Sequence, residues 1–163
     1  MLDGKLFTTL NNQYNMELQA AHSYRAMASY FSIRGYNGFA NFYIVQSEEE
    51  TEHAMKFYYF IISQNKQPIV DALDQPQNEF ESALQVVEES LKQEKEVTES
   101  IHQIVSLSEE LKDYNTRYFL NWFIEEQMEE EESFQKIITQ LKGIKEGEEY
   151  FLTLDKELSK REK

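Results

Sequence analysis

Apolar side chains recur along this chain at spacings of three and four, the period of an amphipathic α-helix, over four long stretches. The first, about residues 5–33, presents Leu6, Leu10, Gln13, Glu17, Ala21, Tyr24, Ala28 and Phe31 on one face. It stops at Gly35-Tyr36-Asn37-Gly38, a turn with two residues that tolerate positive φ. The second, about 39–66, carries Tyr43, Ser47, Glu50, Ala54, Phe57 and Ile61. The third, about 80–111, reads Phe80, Leu84, Val87, Leu91, Glu94, Thr98, Ile101, Val105, Ser108, and the fourth, about 115–142, reads Leu120, Phe123, Gln127, Glu130, Phe134, Ile137, Leu141. Gly143 and Gly147 bracket a break, after which Phe151, Leu154 and Leu158 mark a short fifth helix over 148–158. A helix of that length is unstable alone and needs a surface to pack against.

Residues 67–79 contain both prolines, Pro68 and Pro76, and no sustained helical period. Some 13 extended residues reach about 43 Å, and a 28-residue helix is about 42 Å long. The segment therefore predicts a connection that crosses the molecule and makes the second and third helices parallel, whereas an up-down-up-down bundle needs only a short loop there. The expected fold is all-α: one domain over 1–163, a four-helix bundle with one long crossover and a short fifth helix.

Each long helix interrupts its apolar stripe with polar groups near its middle: Glu17, Glu50 with His53, Glu94, and Gln127 with Glu130. Glu50-x-x-His53 sets a carboxylate and an imidazole side by side, one turn apart, where both can hold one metal ion. Buried carboxylates are costly unless paired or metal-bound, so four of them on consecutive helices suggest a single site. Counting from the turn between the third and fourth helices puts Glu94 and Glu130 at heights that agree within roughly 3 Å. The first pair matches less well, Glu17 and Glu50 differing by about 9 Å. Four carboxylates and one neutral imidazole suit two divalent cations, Fe²⁺ or Mn²⁺ for redox work, with Zn²⁺ also able to bind. Glu50 is the natural bridge. Without metal the carboxylates repel one another, and at least one should hold a proton near neutral pH.

Composition narrows the partners. Sixteen basic against thirty acidic side chains give a formal charge of −14, which argues against nucleic acid and for cations. Cysteine is absent, excluding thiolate ligands and fitting a reducing, cytoplasmic setting. The start, Met1-Leu2-Asp3-Gly4-Lys5, lacks signal-peptide features, and no apolar run approaches the roughly 20 residues needed to span a membrane. One Trp, ten Tyr and eleven Phe exceed what a single bundle core holds, and point to subunit contacts.

Taken together, Glu17, Tyr24, Glu50-x-x-His53, Glu94, Trp122 and Gln127-x-x-Glu130 resemble the bacterial non-haem ferritins, along the whole chain. Ferritin-like di-iron proteins commonly use a Glu from two helices and Glu-x-x-His from the other two; here the second motif is Gln127-x-x-Glu130. Bacterioferritins keep the second Glu-x-x-His and bind haem through a methionine on the second helix, where this chain has Glu52, so no haem is expected. Rubrerythrins add a cysteine-bound iron, and ferritin light chains lack the ligand set. The resemblance implies a ferritin-like fold, ferroxidase activity with O₂ or H₂O₂ as oxidant, and deposition of ferric mineral inside an octahedral shell of 24 identical subunits. In that shell the fifth helix would pack around the four-fold axes. It makes Glu17, Glu50 and His53 ligands of a first iron, and Glu50, Glu94 and Glu130 ligands of a second, with Gln127 nearby. Glu49, Glu126 and Glu129, with Glu130, would form a third iron site, and Tyr24 resembles a tyrosine that can donate an electron. Trp122 is read as packing, His22 and His102 as surface residues. The alternatives are a non-storing di-iron oxidase or peroxidase of the same bundle type, and a helical scaffold without metal.

Overall fold

The computed structural model of the protein describes residues 1–163. Its helices are α1 Gly4–Ile33, α2 Asn37–Ser63, α3 Ala83–Glu110, α4 Tyr114–Phe119, α5 Asn121–Leu141 and α6 Glu149–Leu158. α1 lies along α2 and also touches α3, α3 lies along α5, and α6 docks on α2. No helix is long and apolar enough to cross a membrane.

Local chemistry sets the helix ends. Asp3 caps α1, its carboxylate accepting from Lys5 N at 2.7 Å. α3 starts at Ala83 rather than near residue 80, because the Ser82 hydroxyl accepts from Gln85 N at 3.1 Å. Phe80 thus stands outside the helix, its ring edge-on to Tyr30. α2 ends at Ser63 rather than 66: Asn65 takes φ 59°, and Lys66 N turns back to Ile61 O at 3.2 Å, a left-handed C-terminal cap. α1 and α6 each start one residue away from the expected 5 and 148.

The helix expected over 115–142 is divided into α4 and α5 at Leu120, where ψ is −13°, about 30° from the regular helical value. Phe119 stacks on Phe60 at 4.1 Å while Leu120 is fully buried. Two successive residues thus pack against neighbouring side chains at the break. The bonds Leu120 N to Thr116 O and Ile124 N to Leu120 O, both 3.1 Å, carry the direction across.

Gly38 does not serve the turn. Gly35 takes the positive φ, 78°, and Gly38 lies inside α2, where a Cβ would sit 1.5 Å from Asp155 O. That close approach brings the Asp155 carboxylate to Phe39 N at 2.8 Å. α2 has no side-chain cap of its own, so α6 supplies one.

The crossover is held along α1 by three amides one turn apart. Asn11 Oδ1 accepts from Ile69 N at 2.8 Å, Asn15 Oδ1 from Asp71 N at 3.1 Å, and Gln19 Oε1 from Asp74 N at 2.8 Å. Their NH₂ groups donate back to Ile69 O and Asp74 O. The segment thus runs the way α1 runs and delivers α3 beside the start of α2, so α2 and α3 are parallel.

Two apolar clusters fill the bundle. One contains Tyr24, Phe31, Phe39, Tyr43, Leu91, Phe134 and Phe151; the other contains Leu10, Tyr14, Phe57, Val97, Ile101 and Phe123. Between them, in the middle of every long helix, lies a buried polar layer of Glu17, Glu50, His53, Glu94, Gln127 and Glu130.

Candidate metal centre

The layer forms because its members sit at matching heights. Glu94 lies sixteen positions before the end of α3, and Glu130 sixteen after the start of α4. Glu17 lies sixteen before the end of α1, and Glu50 thirteen after the start of α2. The earlier start of α2 cuts the anticipated offset between Glu17 and Glu50 to about 4.5 Å, and His53 falls level with Glu17. The Ser47 hydroxyl, donating to Ala21 O at 2.7 Å, fixes α2 against α1 one turn from Glu50.

Three groups of side chains present ligand atoms within 4.8 Å of one another: Glu17, Glu50 and His53; Glu50, Glu94 and Glu130; and His53, Glu126 and Glu130. Glu50 belongs to the first two and is fully buried. His53 Nδ1 lies 3.1 Å from Glu50 Oε2 and Nε2 3.7 Å from Glu126 Oε1. Trp122 and Phe123 meet the imidazole ring at steep angles, with centroids at 5.2 and 6.2 Å. They close one side of the site with apolar surface.

Amides and hydroxyls orient the carboxylates. Gln13 Nε2 donates to Glu17 Oε1 at 2.8 Å, and Ser100 Oγ in turn donates to Gln13 Oε1 at 2.5 Å. Gln46 Nε2 donates to Glu50 Oε1 at 3.0 Å and to Glu130 Oε2 at 2.7 Å, joining α2 to α5. Gln127 Nε2 donates to Glu94 Oε2 at 3.0 Å, and the Tyr24 hydroxyl hydrogen-bonds Glu94 Oε1. Glu17 Oε2 and Gln127 Oε1 remain buried without any partner. An orphaned carboxylate oxygen pointing into an anionic cluster is a place for a cation.

Burial, then mutual repulsion, raises the proton affinity of this cluster. The Glu17 carboxyl is pushed well up by desolvation and next by the Glu50 charge. Glu50 is pushed up by desolvation, then by Glu94 and Glu130. Glu130 rises to about 8 through desolvation and Glu94. Glu94 rises by desolvation, opposed by the bonds from Tyr24 and Gln127. Burial likewise pushes the Tyr24 phenol up, with the surrounding carboxylates adding to it. Such a layer is unfavourable as an apoprotein core and suited to divalent cations, which neutralise it and displace its protons.

Beside the layer, a surface pocket of about 590 Å³ is lined by Glu49, Glu126, Glu129, Glu130, Phe42 and Arg161, among others. Glu126 is half-buried and approaches His53, while Glu129 is exposed on the rim. Glu49 Oε2 accepts from Arg161 Nη2 at 2.5 Å. Glu49 and Glu129 belong to none of the three ligand groups. His22 and His102 are exposed and away from the layer.

Two features lie outside the site residues expected from the sequence. Gln13 and Gln46 stand four residues before Glu17 and Glu50, a repeated Gln-x-x-x-Glu spacing that was there to be found. Arg161 lies in the short segment after α6 and gives no periodic signal at all.

The Ferritin-like domain family matches residues 7–144. A bacterial non-heme ferritin of Staphylococcus epidermidis is 42% identical over 161 residues, covering 99% of this chain and 97% of that one. The protein of the same description from Staphylococcus aureus strain USA300 is 40% identical over 161 residues, with 99% and 97% covered. Among solved structures, an open pore ferritin from the hyperthermophilic archaeon Archaeoglobus fulgidus superposes with a TM-score of 0.97 at 38% identity, over 99% of this chain and 100% of that one. With the family matched over most of the chain and relatives of this kind along its whole length, the chain belongs to the ferritin family, on its bacterial non-haem branch.

Proposed function

We propose that the chain is the subunit of an iron-storing ferritin and a ferroxidase, which oxidises Fe²⁺ at the buried layer and passes the ferric product into a shell. The observation that carries this reading is the carboxylate–imidazole layer between two apolar clusters, with Glu17 Oε2 left unpartnered.

Glu17, Glu50 and His53 hold one Fe²⁺; Glu50, Glu94 and Glu130 hold the other, Glu50 bridging. Two Fe²⁺ balance four carboxylates, so the loaded layer is electrically neutral. Each ion gives up one electron, and the pair reduces O₂, with two protons, to H₂O₂, or reduces H₂O₂ to water. Oxidation leaves two excess positive charges in a low-dielectric site, which favours hydrolysis and departure of the product. Gln127 holds Glu94 through its Nε2 and stands in the outer shell of the second iron. Where the oxidant is taken beyond H₂O₂ toward water, Tyr24 can supply one further electron to it, the hydroxyl passing its proton to Glu94. Glu126, with His53 and Glu130 beside it and Glu49 and Glu129 on the rim, forms a third, outer iron site.

Twenty-four copies form the shell, in the cytoplasm, without haem; Glu52 is solvent-exposed. Large apolar side chains left exposed on the isolated subunit, among them Tyr59, Tyr114, Tyr118 and Tyr150, are suited to subunit contacts. The test is aerobic Fe²⁺ addition followed by absorbance, then size-exclusion with iron analysis. Rapid oxidation with many irons per chain in one large particle is expected. Retention of only two or three irons would remove storage, and oxidation no faster than in buffer would remove both activities.

A further inference from the structure

The segment after α6 continues along α2 in the direction of that helix. Asn41 Nδ2 donates to Ser159 O at 3.4 Å and to Arg161 O at 3.0 Å, pinning its backbone. The Arg161 guanidinium lies 4.2 Å from the centre of the Phe42 ring, and its Nη2 donates to Glu49 Oε2 at 2.5 Å. Both charges are largely shielded, with side chains 20% and 23% exposed. The fork is not satisfied, however: Nη1 is buried and has no acceptor. Two residues on, Lys163 Nζ reaches Glu52 at 2.7 Å and Glu48 at 3.9 Å, away from the pocket.

We propose that Arg161 is a resident counter-cation of the outer acidic pocket, which an incoming divalent metal ion must displace from Glu49. The inference rests on the reading of Glu49, Glu126, Glu129 and Glu130 as an outer iron site. A guanidinium forms strong charge-assisted bonds to carboxylates, and stacking on Phe42 adds to its hold. It lines the same pocket as Glu126, Glu129 and Glu130 and occupies Glu49 Oε2, so an ion that takes Glu49 competes with the side chain for that oxygen. A site open for a fraction of the time binds with its affinity reduced by that fraction. The buried pair carries no such competitor, its only neighbouring donors being neutral amides, the Tyr24 hydroxyl and His53. Arg161 therefore sets an order of filling, the buried pair first and the outer pocket last. Its partial satisfaction keeps it exchangeable.

Calorimetric titration of the assembled protein with Zn²⁺, which is not oxidised, separates the binding events. Arg161→Ala and the hydrogen-bonding but uncharged Arg161→Gln are compared with wild type, Lys163→Ala and Glu126→Ala. The weakest event should tighten about tenfold in both Arg161 variants, as expected if the pocket is open about a tenth of the time. It should be unchanged in Lys163→Ala and absent in Glu126→Ala. A weakest event lost in Glu126→Ala but equal in wild type and the Arg161 variants would overturn the displacement while sparing the outer site. Equal tightening in Lys163→Ala would reduce the effect to general tail charge and overturn it too. If wild type and Glu126→Ala bind the same number of ions, the outer-site reading fails, and the proposal with it.

Discussion

The amide of Gln46 donates to Glu50 on its own helix and to Glu130 on α5, so one neutral side chain spaces two carboxylates that would otherwise repel. Gln46→Leu keeps the volume and removes both bonds. The expected result is a loss of about tenfold in Fe²⁺ affinity or initial oxidation rate, typical of groups that orient metal ligands, with assembly unchanged on size-exclusion. The carboxyls also make stability depend on pH. Glu130 is raised to about 8 from an ordinary 4.5, and Glu17, Glu50 and Glu94 move the same way. Between those values the folded metal-free protein holds protons that the unfolded chain has released. The associated stability is complete below about pH 4.5 and is lost as pH rises through about 8, at about 1.4 kcal/mol per pH unit for each proton involved. Thermal melts of metal-free protein should therefore show falling Tm from about pH 5 to about pH 8. Glu50→Gln should flatten that slope, and a slope unchanged by the substitution would place the titration elsewhere.

At the scale of elements, the helix ends and the docking of α6 depend on contacts of different reach. The stripes were legible because three- and four-residue spacing is local, and the crossover because its length matches a helix. The break at Leu120 was not, since it leaves the spacing of Leu120, Phe123 and Gln127 undisturbed. Gly38 read as a turn residue because a glycine needed for close approach carries the same letter as one needed for positive φ. Its partner, Asp155, is more than a hundred residues away. Gly38→Ala should therefore push α6 off the start of α2, seen as rapid proteolysis within 142–148 in a protein whose four-helix core still melts cooperatively. Asp155→Ala removes the cap alone and should cost about 1 kcal/mol. Equal resistance to protease in Gly38→Ala and wild type would mean that α6 tolerates displacement without release.

Across the whole molecule, the bundle is two apolar clusters held apart by a layer that favours cations over an empty state. Glu17, Glu50, Glu94 and Glu130 could be picked from the sequence because each interrupts an apolar stripe, and His53 because it stands one turn from Glu50 beside that stripe. Their convergence could only be approximated by counting, and it improved once α2 began two residues earlier than expected. Gln46 to Glu130 and Arg161 to Glu49 are long-range pairs that no periodicity encodes. The net charge of −14 fits a surface that gathers cations, while the oxidation itself is proposed for the buried layer. The most direct measurement is the initial rate of aerobic Fe²⁺ oxidation by assembled wild type, Glu50→Ala and His53→Ala, followed by stopped-flow absorbance. Loss of the fast phase in both variants, by about a hundredfold for the bridging Glu50 and about tenfold or more for His53, with intact particles, is the predicted result. A fast phase of unchanged rate in Glu50→Ala particles would contradict the account, because oxidation would then take place outside the layer.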